Sequence, residues 1–414
     1  MSQRRRLRRP RTPQNEICGC WGLVALQDPP RPNIVEALEN CRRAGIRVAM
    51  VTGDHPGTAA AIAREIGLVR QTECVLIGAE LPADLDDLGA LLDRDGVVVA
   101  RVTPEDKLRI ARALRLRGHI VAMTGDGVND APALREAAIG VAMGRSGTDV
   151  AREAADVILL DDNFETIVTA VAQGRSTFGN IRRFLTYHLT DNVAELAPFV
   201  VWALSAGRFP LAIGVLQVLA LDIGTDVFPA LALGAEPPDE RALQGPPIRG
   251  HLLTGSVLRR AFAVLGAVEA AVALSAFAVS LDAAGWRPGQ AVTPAAMWSA
   301  SGAAFTAIVL GQAANAFACR SSELPAWSAK LRANRLLIGA VAVELVLLLA
   351  LLYVPAIAHL LGHAPPTPLG FAVAVVAVPA VLAADALYKR GVAAPTRRRE
   401  AIASRHPSRP RWPA

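Results

Sequence analysis

Two patterns of apolar and polar residues divide this 414-residue chain. From residue 22 to about residue 175, short apolar runs alternate with amphipathic stretches that carry charged residues. This alternation is typical of βαβ units that build a parallel sheet with helices on both faces. From about residue 180 the apolar segments lengthen to the size that a helix needs to cross a bilayer. The pattern therefore predicts an α/β head followed by an all-α bundle of membrane helices.

Six apolar segments have spanning length, namely residues 184–206, 211–233, 257–281, 294–318, 336–360 and 367–387. The loops on the side of the head carry most of the basic residues: Arg241, Arg249, Arg259, Arg260, Arg320, Lys330, Arg332 and Arg335. The opposite loops carry Arg208 and Arg287. Because basic loops remain on the cytoplasmic side, the sequence predicts an integral protein of the cell membrane with its head and both termini in the cytoplasm.

The composition agrees with a membrane protein, since 52% of the residues are hydrophobic and 19% are charged. Basic residues are concentrated at the two ends, which predicts a basic leader over residues 1–19 and a basic tail over 391–414, around domains at 20–175 and 176–390. Trp412 is the one Phe, Tyr or Trp residue in these two ends, so we expect contact with the lipid bilayer or solvent and no nucleic acid partner. The pair Cys18 and Cys20 precedes a predicted soluble strand, which favours ordinary thiols over a soft-metal site.

The segment MTGDGVNDAPAL, residues 123–134, carries the strongest chemical signal in the chain. It places Asp126 and Asp130 on a glycine-rich turn that follows the apolar strand 119–123. Two carboxylates on such a turn can share one hard cation, such as Mg²⁺, with a phosphate group. Asn129 between them can donate a hydrogen bond to a phosphoryl oxygen.

Two other predicted strands end in polar residues. Residues 48–51 are followed by Thr52, Gly53 and Asp54, and residues 97–102 lead to Lys107. Open α/β sheets bind their ligands at the carboxyl ends of the strands, and lysine is a compact cation suited to a phosphoryl oxygen. Two more short strands are predicted within IGVAMG and DVILLDDNF, at 139–144 and 156–164.

The segments VTGDHPGTA, RVTPEDK and GDGVND together resemble the phosphorylation domain of P-type cation-transporting ATPases, which are members of the haloacid dehalogenase-like superfamily. The resemblance implies that Asp126 and Asp130 hold Mg²⁺. It also implies a catalytic set of Thr52, Gly53, Asp54, Lys107 and Asn129, with Thr52 and Lys107 at the phosphoryl group. Asp28 and Arg31 match a DPPR segment that would serve nucleotide binding, although a turn with a hinge ion pair is equally open for them.

The DKTGT sequence that carries the phosphate-accepting aspartate of this family does not occur in the 414 residues. We therefore expect the C-terminal half of a type II pump, inactive alone and using ATP only with a separate N-terminal half as partner. In this superfamily the strand of that aspartate lies between the TGD strand and the GDGVND strand. Its loss is expected to split the sheet and leave two unpaired edges, so we expect the head to fold only when a partner supplies the strand.

Several polar residues fall inside the predicted membrane spans, where an unpaired charge is costly. A transported cation is their natural partner, and the segments LTDNVAELAPF and LALDIGTDVFPALALG resemble the fifth and sixth membrane helices of type II pumps. The cation ligands implied by the resemblance are Asp191, Asn192, Glu195, Asp222, Thr225, Asp226, Gln312 and Asn315. For Glu269 and Glu344, a bond to a neighbouring helix or contact with lipid headgroups is favoured over cation binding, which stays open. The identity of the cation also stays open.

Two alternatives remain. The chain could be a non-catalytic membrane protein, either a pseudoenzyme or a regulatory or degraded fragment, which the lack of DKTGT favours. It could also be a phosphatase that uses Asp28 as its nucleophile, but the residues after Asp28 lack the DxD or DxT pattern that this chemistry requires.

Overall fold

A computed structural model describes residues 29–69, 75–238, 243–245, 251–328 and 333–405, with side chains up to Gly391. The predicted leader and basic tail therefore lie outside the described side chains, as do Asp28, Cys18, Cys20, Arg241, Arg249, Lys330 and Arg332. The chain divides into two compact units. The first contains the chain up to Leu38 together with Val48–Asn163, and the second contains Glu39–Arg47 and Phe164–Ala414.

The first unit alternates short strands and helices, as predicted. Its strands are β1 (Met50–Val51), β2 (Val75–Ile77), β3 (Val98–Ala100), β4 (Ala122–Gly125), β5 (Ile139–Met143) and β6 (Val157–Leu159). Its helices are α2 (Pro56–Glu65), α3 (Leu85–Leu92), α4 (Pro104–Leu116), α5 (Ala131–Glu136) and α6 (Asp149–Ala154), preceded by α1 (Ile34–Arg43), whose residues are divided between the two units. The sequence analysis did not predict β2 or α3.

All strand pairs are parallel, but the strands form two separate sheets. One sheet has the order β1-β3-β2 and the other has the order β4-β5-β6. Among the described residues, the TGD strand β1 and the GDGVND strand β4 are thus both edge strands, as expected for a divided sheet. β3 is fully buried at the centre of its sheet, whereas β4 alternates exposed and half-buried residues.

Helix α4 contacts elements of both sheets. The sequence starts it with a capping box, in which Thr103 accepts a hydrogen bond from the Asp106 N–H and Asp106 accepts one from the Thr103 N–H. Pro104 at the first helical position fits this start. α4 then packs against α3 on one side and α5 on the other. It therefore connects the two sheets and positions the side chains that it carries near its first turn.

The second unit is helical throughout. Its helices are α7 (Phe164–Leu204), α8 (Val215–Ala220), α9 (Val227–Gly234), α10 (Gly255–Leu258), α11 (Gly266–Ala283), α12 (Pro294–Cys319), α13 (Arg335–Tyr353), α14 (Pro355–Leu361), α15 (Pro368–Val375) and α16 (Ala377–Arg405). Two π-helical segments, Leu221–Asp226 and Arg259–Leu265, join α8 to α9 and α10 to α11. The predicted boundary near residue 175 falls inside α7, which continues without a break to Leu204.

Five helical segments of the described chain are long and apolar enough to cross a membrane: Val215–Gly234, Gly255–Ala283, Pro294–Cys319, Arg335–Tyr353 and Pro368–Gly391. Their length and composition are those expected of an integral membrane protein. The predicted count of six spans is not confirmed, since residues 184–206 lie in the C-terminal half of α7, where Asp191, Asn192 and Glu195 lower the hydropathy. The span predicted at 336–360 ends earlier, because Pro355 cannot continue the helix and Val354 is extended.

Helix α12 is the centre of the second unit. The apolar stretch of this helix is 89% buried, and the helix packs against α7, α11, α15 and α16. Its many Ala and Gly residues permit close approach of these neighbours. Near its C-terminal end, Arg260 and Lys389 both pair with the buried Asp385 and both donate to the Ala318 carbonyl. Polar side chains at α12 are therefore held from several helices at once.

Asp162 gives the first unit a pH-dependent contribution to stability. Its two carboxylate oxygens accept the Arg145 N–H at 2.9 Å and the Ser146 N–H at 2.8 Å. The Arg145 N–H is the main cause of a pKa lowered to about 2. Because the folded pKa lies below the ordinary value of 3.8, the stabilisation is present above about pH 4 and is lost as the pH falls towards 2.

We expect Asp162→Asn to lower the thermal midpoint of the detergent-solubilised chain at pH 7 and to lose this effect near pH 2. Differential scanning fluorimetry over this pH range measures both. Asp149→Asn is the matched control, since the Asp149 side chain is 86% exposed and pairs only at the surface with Arg152. An Asp162→Asn protein as stable as the wild type at pH 7 would contradict the assignment.

Candidate functional site

Three residues that the sequence predicts at a Mg²⁺ and phosphate site, Asp126, Asn129 and Asp130, lie on the turn after β4. Asp130 ends a short 3₁₀ turn and is buried. Its Oδ2 atom accepts the N–H groups of Asp126 at 3.2 Å and Gly127 at 3.1 Å, while its Oδ1 atom accepts Lys107 Nζ at 2.5 Å. Lys107 belongs to the first turn of α4. Asp130 thus stabilises the turn through hydrogen bonds within it and links the turn to α4 through Lys107.

Gly125 is required for this closure. A Cβ atom at residue 125 would lie 2.7 Å from Asp130 Cγ and 2.8 Å from Asp130 Oδ2, which real Cβ contacts do not allow. The close approach of the Asp130 side chain to the end of β4 therefore depends on the missing side chain at this position.

Asp126 and Asp130 have different roles in this geometry. Burial raises the pKa of Asp130, but the hydrogen bonds from Lys107 and the Gly127 N–H outweigh it and leave the pKa lowered. Both Asp130 oxygens are already engaged. The Asp126 side chain is exposed, and it has no hydrogen bond or ion pair to the described part of the chain. The exposed carboxylate of Asp126 is therefore available to a hard cation such as Mg²⁺, whereas both oxygens of Asp130 are engaged in shaping the turn.

The TGD residues lie at the end of β1. Thr52 Oγ1 accepts the Asp54 N–H at 3.1 Å, and the Thr52 carbonyl accepts the Val102 N–H at 3.2 Å. Val102 immediately precedes the N-cap of α4, so Thr52 is tied to the segment that starts this helix. Arg101 beside it has a φ of 52°, an uncommon backbone conformation for a residue with a side chain.

The structure brings together only some of the predicted residues of the first unit. Lys107 and Asp130 are in contact, and Asp126 is joined to Asp130 through its N–H. Gly53, Asp54 and Asn129 are exposed. The Arg31 guanidinium donates a hydrogen bond to the backbone carbonyl of Asp162. Asp28 lies outside the described residues.

In the second unit, predicted cation ligands from three helical segments meet. Gln312 of α12 donates to Glu195 Oε1 at 3.2 Å and accepts from Thr225 Oγ1 at 3.2 Å. Asn315, one turn later, donates to Asp191 Oδ1 at 3.0 Å. The amides of α12 therefore bind carboxylates of α7 and the hydroxyl of the π-helical segment.

The π-helical segment covers LDIGTD, which contains the predicted ligands Asp222, Thr225 and Asp226. Such segments have wider turns and occur frequently at functional sites. Asp226 at its end is 2% exposed, and its Oδ2 lies 2.7 Å from His188 Nδ1. Asp222 is half-buried and near enough to interact electrostatically with Asp226 and His188. Asn192 is half-buried and donates to the His188 carbonyl at 2.8 Å.

Several buried oxygen atoms in this region have no hydrogen-bond partner within the described chain. They are Tyr187 Oη, Asp191 Oδ2, Asp226 Oδ1 and both carboxylate oxygens of Glu269 and Glu344. The interpretation that Glu269 and Glu344 bond neighbouring helices or face headgroups is therefore wrong, since both are fully buried and unbonded. These atoms are predominantly acceptors, which suits a cation as the common partner. Within the described residues, no three His, Cys, Asp or Glu side chains form a preassembled metal cage.

Sequence reasoning missed His188 and Tyr187 in this region. Both lie one helical turn before predicted ligands, His188 four residues before Asn192 and Tyr187 four residues before Asp191. Residues at this spacing share a helix face, so the pattern could have identified them.

Comparison with known proteins adds independent information. A family model described as cation transporting ATPase, C-terminus, matches residues 210–391, and one described as haloacid dehalogenase-like hydrolase matches residues 16–138. Over 381 residues, 89% of this chain, the sequence is 42% identical to a probable cation-transporting ATPase F of Mycobacterium tuberculosis. It is 36% identical over 378 residues to a calcium-transporting ATPase of Bacillus subtilis. Over 317 residues, 69% of this chain, it is 37% identical to the sodium/potassium-transporting ATPase subunit alpha-1 of Oreochromis mossambicus.

The chain spans 40% of the length of the first two relatives and 30% of the third. The matches cover both units, and the relatives named here are all cation-transporting ATPases.

We expect Gly125→Ala to destabilise the turn after β4, because the new methyl group displaces Asp130 from the Asp126 and Gly127 N–H groups. Hydrogen exchange of these two amides should accelerate at least tenfold, measured by mass spectrometry. Gly53→Ala at the end of β1 is the control, since its Cβ would meet only the Val102 carbonyl oxygen at 4.0 Å. Unchanged exchange in Gly125→Ala would show that the turn does not depend on this contact.

We expect Lys107→Ala to lower the free energy of unfolding by about 1–2 kcal/mol at pH 7, because Asp130 loses a charge-assisted hydrogen bond that solvent partly screens. The lowered pKa of Asp130 makes this stabilisation present above about pH 4 and lost as the pH falls further. Urea unfolding at pH 7 and pH 3 measures the difference. Arg112→Ala, which removes an exposed ion pair with Glu136, should cost less than 1 kcal/mol and provides the control.

Proposed function

The chain belongs to the cation-transporting P-type ATPase family, and on this basis we propose that it is the C-terminal portion of a type II pump. In this function, Mg²⁺-dependent phosphoryl transfer from ATP is coupled to movement of a cation across the cell membrane. A separate N-terminal half is the proposed partner that supplies the phosphate-accepting aspartate and the nucleotide site. The distribution of basic loop residues supports a cytoplasmic head and termini.

The buried carboxylates of the second unit carry this proposal. Glu195 and Asp226 are both 2% exposed, and Asp226 belongs to the apolar segment Val215–Gly234. A buried ionised group at such a place needs a compensating partner. Gln312 and Thr225 hold the surrounding oxygens in one network but leave Asp226 Oδ1 without a bond. A hard cation at this place would be bound by the predicted ligands Asp191, Asn192, Glu195, Asp222, Thr225, Asp226, Gln312 and Asn315.

The first unit supports phosphoryl transfer through its own residues. Mg²⁺, when bound, shields the negative charge of phosphoryl oxygens. Asp126 offers the exposed carboxylate that would bind it, and Asp130 fixes the turn through its hydrogen bonds to the Asp126 and Gly127 N–H groups. Lys107 brings a positive charge to the same turn. Thr52 and Asn129 are proposed to donate hydrogen bonds to the phosphoryl group, and Gly53 and Asp54 to line it on the β1 side.

Phosphorylation from radiolabelled ATP tests the proposal. Membranes that contain this chain would be assayed alone and with a coexpressed N-terminal half of the Mycobacterium tuberculosis relative. We expect an acid-stable, hydroxylamine-sensitive phosphate on the N-terminal half, and only when both halves are present. Asp126→Asn should reduce this label at least tenfold because it removes the proposed Mg²⁺ ligand.

Asp226→Asn separates transport from phosphorylation in the same assay. It should abolish the dependence of the label on cation concentration while leaving the Mg²⁺ site intact. Asp282→Asn, an exposed site on α11, is the control and should behave like the wild type. Absence of label with both halves present, or label on this chain alone, would contradict the proposal that the N-terminal half accepts the phosphate.

A further inference from the structure

His363 lies in the segment between α14 and α15 and is completely buried. This segment connects the apolar segments Arg335–Tyr353 and Pro368–Gly391 and lies outside both of them. The exposed fraction of His363 is 0%, and the ring of Phe305 packs against it with the two ring centroids 4.9 Å apart. A histidine buried in this way needs a hydrogen-bond partner for each ring nitrogen.

The sequence leaves a backbone carbonyl free for the first ring nitrogen. In a regular helix the Leu351 carbonyl would accept the N–H of residue 355, but Pro355 has no N–H. His363 Nε2 lies 3.1 Å from this carbonyl oxygen. Because a carbonyl oxygen only accepts, the proton of the neutral ring lies on Nε2.

The second ring nitrogen therefore accepts a hydrogen bond. Its partner is Gln217 Nε2, which lies 2.9 Å from His363 Nδ1. The Gly214 N–H donates to Gln217 Oε1 at 2.7 Å, and this contact turns the nitrogen of the Gln217 amide towards the ring. Gln217 Nε2 also donates to Ser301 Oγ at 2.9 Å. These hydrogen bonds are consistent with one another only while His363 is neutral.

A second proton on His363 breaks this arrangement. It places an N–H on Nδ1 directly opposite the amide nitrogen of Gln217, so that two donors face each other without an acceptor. Rotation of the Gln217 amide would give Nδ1 an acceptor, but it would turn the amide nitrogen towards the Gly214 N–H. Either arrangement loses a hydrogen bond in a buried site, which is costly.

The Gln217–His363 hydrogen bond connects two parts of the second unit. Gly214 is the N-cap residue of α8, and α8 continues directly into the π-helical segment Leu221–Asp226. The segment that carries His363 lies against α12, because the Ala364 N–H donates to the Trp298 carbonyl at 3.0 Å. The start of α8 is thus held to this segment through His363.

Few groups near His363 could titrate with it. α8, α15 and the residues between α14 and α15 contain no Asp, Glu, Lys, Arg or His. The titratable residues of the other neighbouring elements are Arg208 before α8, Cys319 of α12, Arg335, Glu344 and Tyr353 of α13, and His359 of α14. Within the part of the chain that the structure describes, none of them forms an ion pair with His363.

We propose that His363, Gln217 and Ser301 form a pH-sensitive latch, in which proton uptake by His363 releases the start of α8 from the segment between α14 and α15. The distribution of basic loop residues predicts that this end of the helices faces the non-cytoplasmic side, so the latch responds to the pH on that side. The inference goes beyond the proposed function, since it requires only contacts within this chain.

The direction of the pH effect follows from the burial of the ring. Burial lowers the pKa of His363 below its ordinary value of 6.5. When the latch opens and the ring meets water, the ordinary pKa returns, so the open form binds the proton more readily. The latch is therefore most stable above about pH 6.5 and loses stability as the pH falls below this value.

Hydrogen exchange of the full chain in lipid nanodiscs, measured by mass spectrometry at about pH 7.5 and pH 5, tests the inference. The Gly214 and Ala364 amides report on the two sides of the latch. After correction for the intrinsic effect of pH on exchange, we expect both to exchange at least fivefold faster at pH 5. The Phe209 amide, which donates to Ser205 Oγ, is the internal reference and should not change.

Three variants assign the effect to the latch. Gln217→Glu gives the protonated Nδ1 an acceptor, so it should keep the latch closed at pH 5 and remove the acceleration. His363→Gln cannot take up a proton in this range and should also lose the pH dependence. His359→Gln replaces an exposed histidine four residues away, and it should behave like the wild type.

Equal corrected exchange at both pH values in the wild type would overturn the latch. An acceleration that persists in His363→Gln or in Gln217→Glu, or that disappears in His359→Gln, would overturn it as well. The thermal midpoint of each variant at pH 7.5 shows whether it is folded. If one of the two latch variants does not fold, the exchange of the other decides the outcome.

Discussion

The second unit is organised by the need to supply hydrogen bonds or positive charge to carboxylates that are buried away from solvent. α12 meets this need because it is enclosed on all sides and carries two amides, Gln312 and Asn315, on successive turns. Each amide binds a carboxylate of α7, and Gln312 also binds the hydroxyl of Thr225. The relative positions of α7, the π-helical segment and α12 therefore follow from a few polar contacts. The remaining acceptor atoms are available to a positively charged ligand.

In the first unit, a carboxylate closer to solvent is likewise held by hydrogen bonds from the protein. Asp130 is held as an anion by Lys107 and two N–H groups, and this fixes the turn that presents Asp126. The Asp130 carboxylate shapes the turn, whereas the Asp126 carboxylate stays available to a ligand. The same division appears in the second unit, where Asp191 Oδ1 is bonded and Asp191 Oδ2 is not. In both units, contacts within the described residues leave carboxylate oxygens without a hydrogen bond.

The sequence predicted those features that depend on local chemistry. The strands before Thr52, before Thr103 and at Asp126 were found, because each joins an apolar run to a distinctive polar turn. Gln312 and Asn315 were predicted as cation ligands through the resemblance, and the structure shows them in contact with Glu195 and Asp191. The separate sheets were expected from the family order of the strands. Val75–Ile77 was missed because three apolar residues carry too weak a periodic signal.

Features that depend on tertiary context were harder to predict. The polarity of α7 arises from residues that are buried against other helices, so hydropathy alone gave no reliable span count. The bonding state of Glu269 depends on the missing side chain of Gly311 in another helix, about forty residues away along the chain, and no local pattern reports such a contact.

The π-helical segment has a consequence for how the second span could change shape. A π turn contains about one residue more than an α turn, and one residue of an α-helix corresponds to a rotation of about 100° about the helix axis. Tightening Leu221–Asp226 into α geometry would therefore turn α8 against α9 about their common axis. The oxygens of Asp222 and Thr225 would be redirected while the ends of the span stayed near their depths in the bilayer. Rewinding would therefore change which side-chain oxygens face an ion without moving the helix along the bilayer normal.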